Sequence, residues 1–152
     1  MKTRGQSIVL LAVFIAAAVA LLLGFLALST LYAARSHARQ SLQVATAAGA
    51  RRVAYDGMGG GRLLLDEAAA VETTRAVFEQ ALALEDFGLA ASARDIAAGA
   101  VIEAHNDVPW TSPHSHITHQ VPTVSAVVPI PVQILFFSLQ VPVSAETEVN
   151  AP

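Results

Sequence analysis

The 152-residue chain contains no cysteine, which excludes a disulfide framework, a thiolate metal site and a cysteine nucleophile. Charged residues make up only 14% of the chain, against 54% in the hydrophobic class. No acidic residue precedes Asp56, and the sequence has neither a Gly-x-Ser-x-Gly nucleophile turn nor a His-Glu-x-x-His zinc motif. These absences indicate a protein without catalytic machinery, and we expect no cofactor and no bound metal.

The apolar residues are concentrated near the N-terminus. Residues 8–28 form a run of 21 residues without a charged or hydrogen-bonding side chain. As a helix this run would be about 31 Å long, which matches the hydrocarbon thickness of a bilayer. A cleavable signal peptide is the competing interpretation, but its apolar region is usually about 7 to 15 residues long. The run therefore predicts a single-pass anchor in the lipid bilayer.

The charges flanking this run predict its orientation. Lys2 and Arg4 crowd beside the N-terminus, whereas Arg35 and Arg39 are spread on the other side, so we expect the N-terminus inside and the C-terminal part outside. Residues 1–52 hold six basic and no acidic side chains, and residues 53–152 hold three basic and twelve acidic ones. An acidic distal part has no attraction for nucleic acid, which we exclude as a partner.

The domain organisation follows from breaks in the helical pattern. We expect a cytoplasmic segment over residues 1–7 and the transmembrane helix over 8–28. Because no Pro or Gly occurs between Phe25 and Ala48, we expect the helix to continue as a stalk helix over 29–55. Four glycines in residues 56–62 predict a hinge; a phosphate-binding loop is disfavoured there, since no strand precedes it and no Gly-Lys-Ser/Thr sequence follows. Residues 63–152 would then form the head.

A stripe of small residues marks one face of the membrane helix, where Ala12, Ala16, Ala20 and Gly24 recur every fourth position. Small residues at this spacing let helix backbones approach closely inside a membrane, so this face predicts packing in a homo- or hetero-oligomer. The alternative, of equal weight, is that an alanine-rich helix shows such a pattern by chance.

The head combines helical and extended patterns. Residues 63–84 have the period of an amphipathic helix, and Ser92 has the features of an N-cap that opens a short helix to about His105. Beyond residue 123 the period becomes two, which predicts half-buried strands over 124–132 and 139–149. The predicted fold class is α+β: a long N-terminal transmembrane and stalk helix, a small helical segment, and a C-terminal antiparallel β-hairpin or small sheet. Within it Pro129, Pro131 and Pro142 should lie at sheet edges or bulges.

Two features remain open at this stage. The loop over residues 106–121 carries three histidines that, with His105, have the donor chemistry for zinc or copper, although a solvated loop is the favoured interpretation: His114, His116 and His119. The hairpin tip with Phe136 and Phe137 is unusually apolar. It either packs as core beneath the helix of residues 63–84 or contacts the membrane or a partner.

The apolar run is preceded by Arg4-Gly5-Gln6-Ser7 and followed by Leu31-Tyr32-Ala33-Ala34-Arg35, Leu42-Gln43 and Ala45-Thr46-Ala47-Ala48-Gly49-Ala50. With these segments, residues 4–52 resemble the TadE/TadG-like tight-adherence pilus assembly proteins. More loosely, the acidic helix and the Val/Pro-rich hairpin that ends at residues 143–148 are also similar to members of that family.

The resemblance implies a non-catalytic, pilin-like or pseudopilin component in the bacterial cytoplasmic membrane, with its C-terminal domain outside. Its partners would be other pilin-like or pilus assembly membrane proteins of a Flp-type pilus or secretion assembly. Some members are cleaved after a glycine, which corresponds here to the bond between Gly5 and Gln6. Processed members carry Glu where this chain has Leu10, and this departure implies a member that stays anchored.

Two further functions are compatible with the sequence. One is a membrane-tethered extracytoplasmic binding or adhesion module, unrelated to a pilus, that uses the histidine-bearing loop and the Phe136-Phe137 tip. The other is a small membrane-anchored metalloenzyme, which would require metal in the head.

Overall fold

The computed structural model describes residues 3–55, 63–84, 88–134 and 136–149. Within these ranges the elements are, in chain order, α1 (Thr3–Gly49), β1 (Val53–Tyr55), β2 (Leu63–Leu65), α2 (Glu67–Ala83), α3 (Ala93–Ala98), β3 (Val101–His105), β4 (Trp110–Thr111), β5 (Thr118–His119), β6 (Thr123–Ile134) and β7 (Phe137–Glu148). A long apolar N-terminal helix is thus followed by small helices and antiparallel sheets, in agreement with the predicted α+β layout. The glycine-rich segment predicted as a hinge, residues 56–62, lies outside the described residues.

The long helix α1 serves two different environments. Its 47 residues correspond to a rod of about 70 Å, because no proline or mid-helix break interrupts a sequence rich in alanine and leucine. In the half nearer its C-terminus Ala34, Ala38, Leu42 and Ala45 are at most 1% exposed, packed against the rest of the chain. The segment that was expected to be a stalk therefore supplies one wall of the head's core from about residue 34 onward.

The main sheet has three antiparallel strands in the order β3-β6-β7. Strands β6 and β7 pair over their full length, from Thr123 opposite Glu148 to Ile134 opposite Phe137, which confirms the predicted hairpin. Every even-numbered residue of β6 is buried on the inner face of this sheet, and α1 and α2 cover that face. Alternate residues face opposite sides of a strand, so the odd-numbered residues of β6 form the outer face.

The prolines occupy ladder positions that need no N–H donor. The carbonyl of Pro131 accepts a hydrogen bond from the amide of Ala90, so this residue faces away from β7, and Pro129 faces the same way. Strand β3 has already ended at this point, since its last partner in β6 is Val127. Pro142, opposite Pro129, correspondingly faces the free edge of β7. Pro142 thus lies at a sheet edge, as predicted, whereas Pro129 and Pro131 lie on the central strand β6 beyond the end of β3, where the ladder to β7 does not use the N–H groups that they lack.

Three predicted helix boundaries are wrong. The stalk helix expected over residues 29–55 ends at Gly49, and residues 53–55 form β1. The helix expected over residues 63–84 begins only at Glu67, because Asp66 accepts a hydrogen bond from the amide of Ala69 as its N-cap, and the three leucines before it form β2. The helix expected from Ser92 to His105 ends at Ala98, and residues 101–105 form β3. In each case strand pairing overrides a pattern that is locally compatible with a helix.

A side chain closes the junction between the small hairpin β1-β2 and the head. The amide oxygen of Asn106 accepts a hydrogen bond from the Leu65 amide at 2.7 Å, and its NH2 group donates to the Leu65 carbonyl at 3.0 Å. The same NH2 group donates to Glu67 at 2.9 Å. Asn106 thus provides hydrogen-bond partners for the backbone N–H and C=O of the buried Leu65, which has no neighbouring strand on that side.

Candidate functional site

The N-terminal half of α1 is an exposed apolar surface. All side chains from residue 8 to residue 30 are exposed except Ala27, which is half-buried, and the large ones include Phe14, Leu21 and Phe25 at 73%, 77% and 73% exposure. Within the described parts of the chain, α1 is the one helix that is long and apolar enough to cross a membrane. An apolar surface of this size in a water-soluble chain would normally be buried.

The first polar side chains after this surface satisfy themselves within the helix. The hydroxyl groups of Ser29 and Thr30 both donate to the carbonyl of Leu26, each at 2.9 Å. A hydroxyl that is hydrogen-bonded to its own helix needs no water, so these residues are compatible with a position at the edge of a lipid phase.

The small-residue face, Ala12, Ala16, Ala20 and Gly24, is fully exposed. At Gly24 an added Cβ would meet no atom within 4 Å. At about 100° per residue these four positions lie on the same side of α1 as the residues that pack against the head: Ala27, Leu31, Ala34, Ala38, Leu42 and Ala45. A helix docked on this face therefore has room only along the apolar run, because the head occupies the same side beyond it.

The residues of the predicted processing site lie at the N-terminal end of α1. Gly5 and Gln6 belong to the helix that begins at Thr3. Leu10, one turn further along, is 70% exposed.

The histidine-bearing loop folds back over the outer face of the sheet, where a polar cluster fastens it. We call this cluster the loop clamp: Ser112, Ser115, His119, Glu146 and Glu148. His119 lies between two carboxylates, with its Nδ1 at 2.8 Å from Glu148 Oε1 and its Nε2 at 3.1 Å from Glu146 Oε2. Glu146 also accepts hydrogen bonds from the hydroxyl groups of Ser112 and Ser115, the second at 2.7 Å.

Aromatic stacking holds the other side of the loop. The indole of Trp110 lies between two imidazoles, with its ring centroid 3.7 Å from that of His105 and 5.6 Å from that of His119. His105 Nε2 is in turn 3.1 Å from the hydroxyl of the buried Ser125. The loop therefore rests on β3 through the ring contact of Trp110 with His105 and on β7 through the hydrogen bonds to Glu146 and Glu148.

The loop clamp shifts the pKa values of its members in opposite directions. Burial alone would lower the pKa of His119, but the hydrogen bonds to Glu148 and Glu146 outweigh it and raise that pKa. Burial would raise the pKa of Glu146, but hydrogen bonds from Ser112, Ser115 and His119 lower it. For His105 burial prevails over the attraction of Glu103 and lowers the pKa. Both shifts favour the charged forms of His119 and Glu146, so each group stabilises the other's charge.

This geometry fits a structural role better than metal binding. Both ring nitrogens of His119 are turned to carboxylates, so in the charged form neither has a lone pair for a metal. His114 and His116 are exposed in the turn, and the four histidines are not brought together. Among the described residues no group of three histidine or carboxylate side chains is placed to hold a metal ion.

The sequence did not identify Glu146 and Glu148 as partners of His119. The available signal was the alternation along β7, which puts both carboxylates on its polar face. What the sequence lacks is the path of the loop, which brings His119 across the sheet to them.

The hairpin tip is exposed, so the alternative in which it packs as core is wrong. Ile134 is 5% exposed, but Phe136 is 98%, Phe137 58% and Leu139 44% exposed. The pairing of Ile134 with Phe137 ends the ladder and leaves the two phenylalanines beyond the reach of the covering helices.

Comparison of the chain with protein-family models, with curated proteins and with solved structures finds no match.

Proposed function

We propose that the chain is a non-catalytic, single-pass membrane protein that works as a pilin-like or pseudopilin component of a tight-adherence type pilus or secretion assembly. The observation that carries this proposal is the division of α1 into an exposed apolar half and a half built into the head. A helix of this kind fixes the head rigidly to the bilayer without a flexible linker. The resemblance over residues 4–52 supplies the class of assembly.

In this proposal the apolar run spans the bacterial cytoplasmic membrane with the N-terminus inside and the head outside. The run has the length of the hydrocarbon layer, and only a helix or a closed barrel satisfies its backbone there. Lys2 and Arg4 are retained on the cytoplasmic side by the positive-inside preference.

Association takes place through the small-residue face inside the membrane. Ala12, Ala16, Ala20 and Gly24 offer a shallow groove for a partner helix, from a second copy or from another assembly protein. Because the head overhangs this side of α1, the partner helix must end or diverge near the membrane surface. This restriction favours a base or assembly component over a subunit whose helices run side by side along their full length.

The absence of cysteine in the chain allows a direct test of this face. A single cysteine introduced as Ala12→Cys should form oxidative cross-links to neighbours in the native membrane, and Ala16→Leu with Ala20→Leu should abolish them by filling the groove. Ala18→Leu is the control, since it adds a leucine side chain on the opposite side of the helix. Cross-linking that survives Ala16→Leu with Ala20→Leu, or that is lost equally with Ala18→Leu, would remove the proposed face.

Mass spectrometry of the mature N-terminus tests the anchor and the assembly separately. A start at Gln6 supports prepilin-type processing, and a start at Met1 supports a permanent anchor, as Leu10 implies. A start beyond residue 28 would contradict the anchor and restore the signal-peptide interpretation. A start at Met1 together with no cross-linked neighbour would favour the tethered binding module instead.

A further inference from the structure

The tip of the β6-β7 hairpin is a second exposed apolar surface, separate from the membrane helix. Phe136 is almost fully exposed, and Phe137 and Leu139 are about half exposed on the inner side of the same hairpin. No Asp, Glu, Lys or Arg occurs between Asp107 and Glu146. Exposed turns and strand edges in water usually carry polar or charged residues, so this tip lacks the composition of a solvated turn.

Hydrogen bonds show which end of the head the tip occupies. The hydroxyl groups of Thr46 and Thr147 are 2.8 Å apart and mark the end of the head that is far from the apolar run. Phe137 is ten residues further back along β7, about 33 Å at 3.3 Å per residue. At 1.5 Å per residue, about 33 Å along α1 from Thr46 reaches back to about residue 24. If the strand is inclined to the helix by about 40°, the tip lies level with about residue 29.

The second helix independently gives the same direction. Gly49 of α1 packs against Ala70 and Thr74 near the start of α2, which runs back along α1 toward the apolar run. After α2 the chain pairs with the tip end of β6, where the Gln133 amide donates to the Gly88 carbonyl at 2.9 Å. The C-terminal end of α2 and the tip of the hairpin therefore share the membrane-proximal end of the head.

The side on which the tip lies is also determined. Phe137 and Leu139 belong to the sheet face that continues through Val141 and Val143 onto α1. They extend that face toward residues 24–30 of α1, where the apolar run ends. The tip therefore lies beside the region that lipid would fill.

We propose that the hairpin tip, with Phe136, Phe137 and Leu139, inserts into the outer edge of the same bilayer that α1 spans. This inference rests on the proposed membrane span. Phenylalanine and leucine side chains bury apolar area when they enter the boundary between headgroups and acyl chains, and here they would give the head a second fixed point besides α1. Two points of attachment hold the head at one tilt to the membrane and thereby orient the face that it presents to partners.

Site-specific fluorescence tests the inference in the full chain. Single cysteines at Leu28→Cys, Phe136→Cys and Ser144→Cys, labelled with an environment-sensitive fluorophore, are compared in nanodiscs that hold one copy each. The lipid is phosphatidylcholine with phosphatidylglycerol, and it includes a phosphatidylcholine spin-labelled near the glycerol end of its acyl chain. We expect loss of emission at position 136 comparable to that at position 28, and none at position 144, which lies on the outer face of β7.

The outcomes separate the inference from the proposed function. Lipid quenching at position 28 without quenching at position 136 overturns the tip contact and leaves the span in place, whereas no quenching at position 28 overturns both. A label at position 136 that is shielded from aqueous iodide only when several copies share one nanodisc would show contact between heads and also overturns the inference. Because the side chain of Phe136 is exposed, its replacement should leave the thermal unfolding of the head unchanged, and this measurement controls for misfolding.

Discussion

Replacing Gly49 by alanine should destabilise the head, because the backbone of α1 lies close to α2 at this glycine. A Cβ at position 49 would lie 2.1 Å from Thr74 Oγ1 and 2.8 Å from the carbonyl oxygen of Ala70. Thr74 is fully buried and its hydroxyl donates to that same carbonyl at 2.8 Å, so a change of its rotamer breaks a buried hydrogen bond. The carbonyl belongs to the backbone of α2, so α2 itself must move.

The size of the effect follows from three contributions. Overpacking of a tight core contact costs about 1 to 3 kcal/mol, and loss of the Thr74 hydrogen bond adds about 1 kcal/mol. The better helix propensity of alanine offsets up to about 1 kcal/mol. We expect the free energy of unfolding to fall by about 1 to 3 kcal/mol, which for a domain of this size lowers Tm by about 4 to 12 °C.

Thermal unfolding of the full chain in detergent micelles measures this change, and the near-ultraviolet circular dichroism of Trp110 is the signal that monitors it. Gly99→Ala is the matched control, because a Cβ at position 99 would meet its nearest atoms at an ordinary 3.6 Å. Equal Tm values for Gly49→Ala and Gly99→Ala would refute the close crossing. Adding Thr74→Ala to Gly49→Ala should recover part of the loss, since it removes the nearer obstacle.

The remaining predictions concern the head. Asn106→Ala should lower the free energy of unfolding by about 1 to 3 kcal/mol, because it leaves the buried amide and carbonyl of Leu65 without partners, and urea unfolding measures this loss. The loop clamp should be tightest between pH 4.5 and 6.5. Because folding raises the pKa of His119, the stabilisation from this residue is complete below its ordinary pKa of 6.5 and is lost as the pH rises through the folded value. Because folding lowers the pKa of Glu146, the stabilisation from this residue is complete above 4.5 and is lost as the pH falls through the folded value. Amide protection factors in the loop should fall on either side of this window. Glu146→Gln should return the pKa of His119 toward its ordinary value, as an NMR titration would show.

Each of these predictions has a clear contrary outcome. Unfolding of Asn106→Ala at the urea concentration of the parent chain would mean that water or a shifted strand satisfies the Leu65 backbone. Protection factors that stay constant from pH 4.5 to 9 would show that the ring contacts of Trp110, rather than charge, hold the loop. In the Glu146→Gln chain, an unchanged His119 titration would assign the raised pKa to Glu148.

The boundaries between elements show where local patterns are insufficient. Residues 63–65 are three leucines that suit a helix, and only their pairing with residues 53–55 makes them a strand. The stretch after Gly99 is similarly ambiguous, and β6 decides it by offering five paired positions to β3. A pattern of burial is visible in sequence, but the identity of the element that provides the burial is not.

For the candidate site, the sequence identified the right segments but not the contacts between them. The histidine loop was recognised by its composition, yet its partners are carboxylates about thirty residues away on β7, which pairing and loop path alone bring to His119. The hairpin tip was recognised as unusually apolar, and whether it was core or surface depended on where the covering helices end.

The sequence by itself determined the features that arise from local chemistry. An uninterrupted apolar run of the right length predicts a helix able to span a bilayer, alternation predicts the β6-β7 hairpin, and the absence of N–H in proline predicts that Pro142 lies at a sheet edge. The tertiary structure decided everything that depends on contacts between distant residues. It made residues 34–50 part of the head's core, required glycine at position 49, and carried the exposed phenylalanines to the end of the head nearest the apolar run. The physical reason is that packing and strand pairing are properties of two surfaces at once, and a single segment of sequence specifies only one of them.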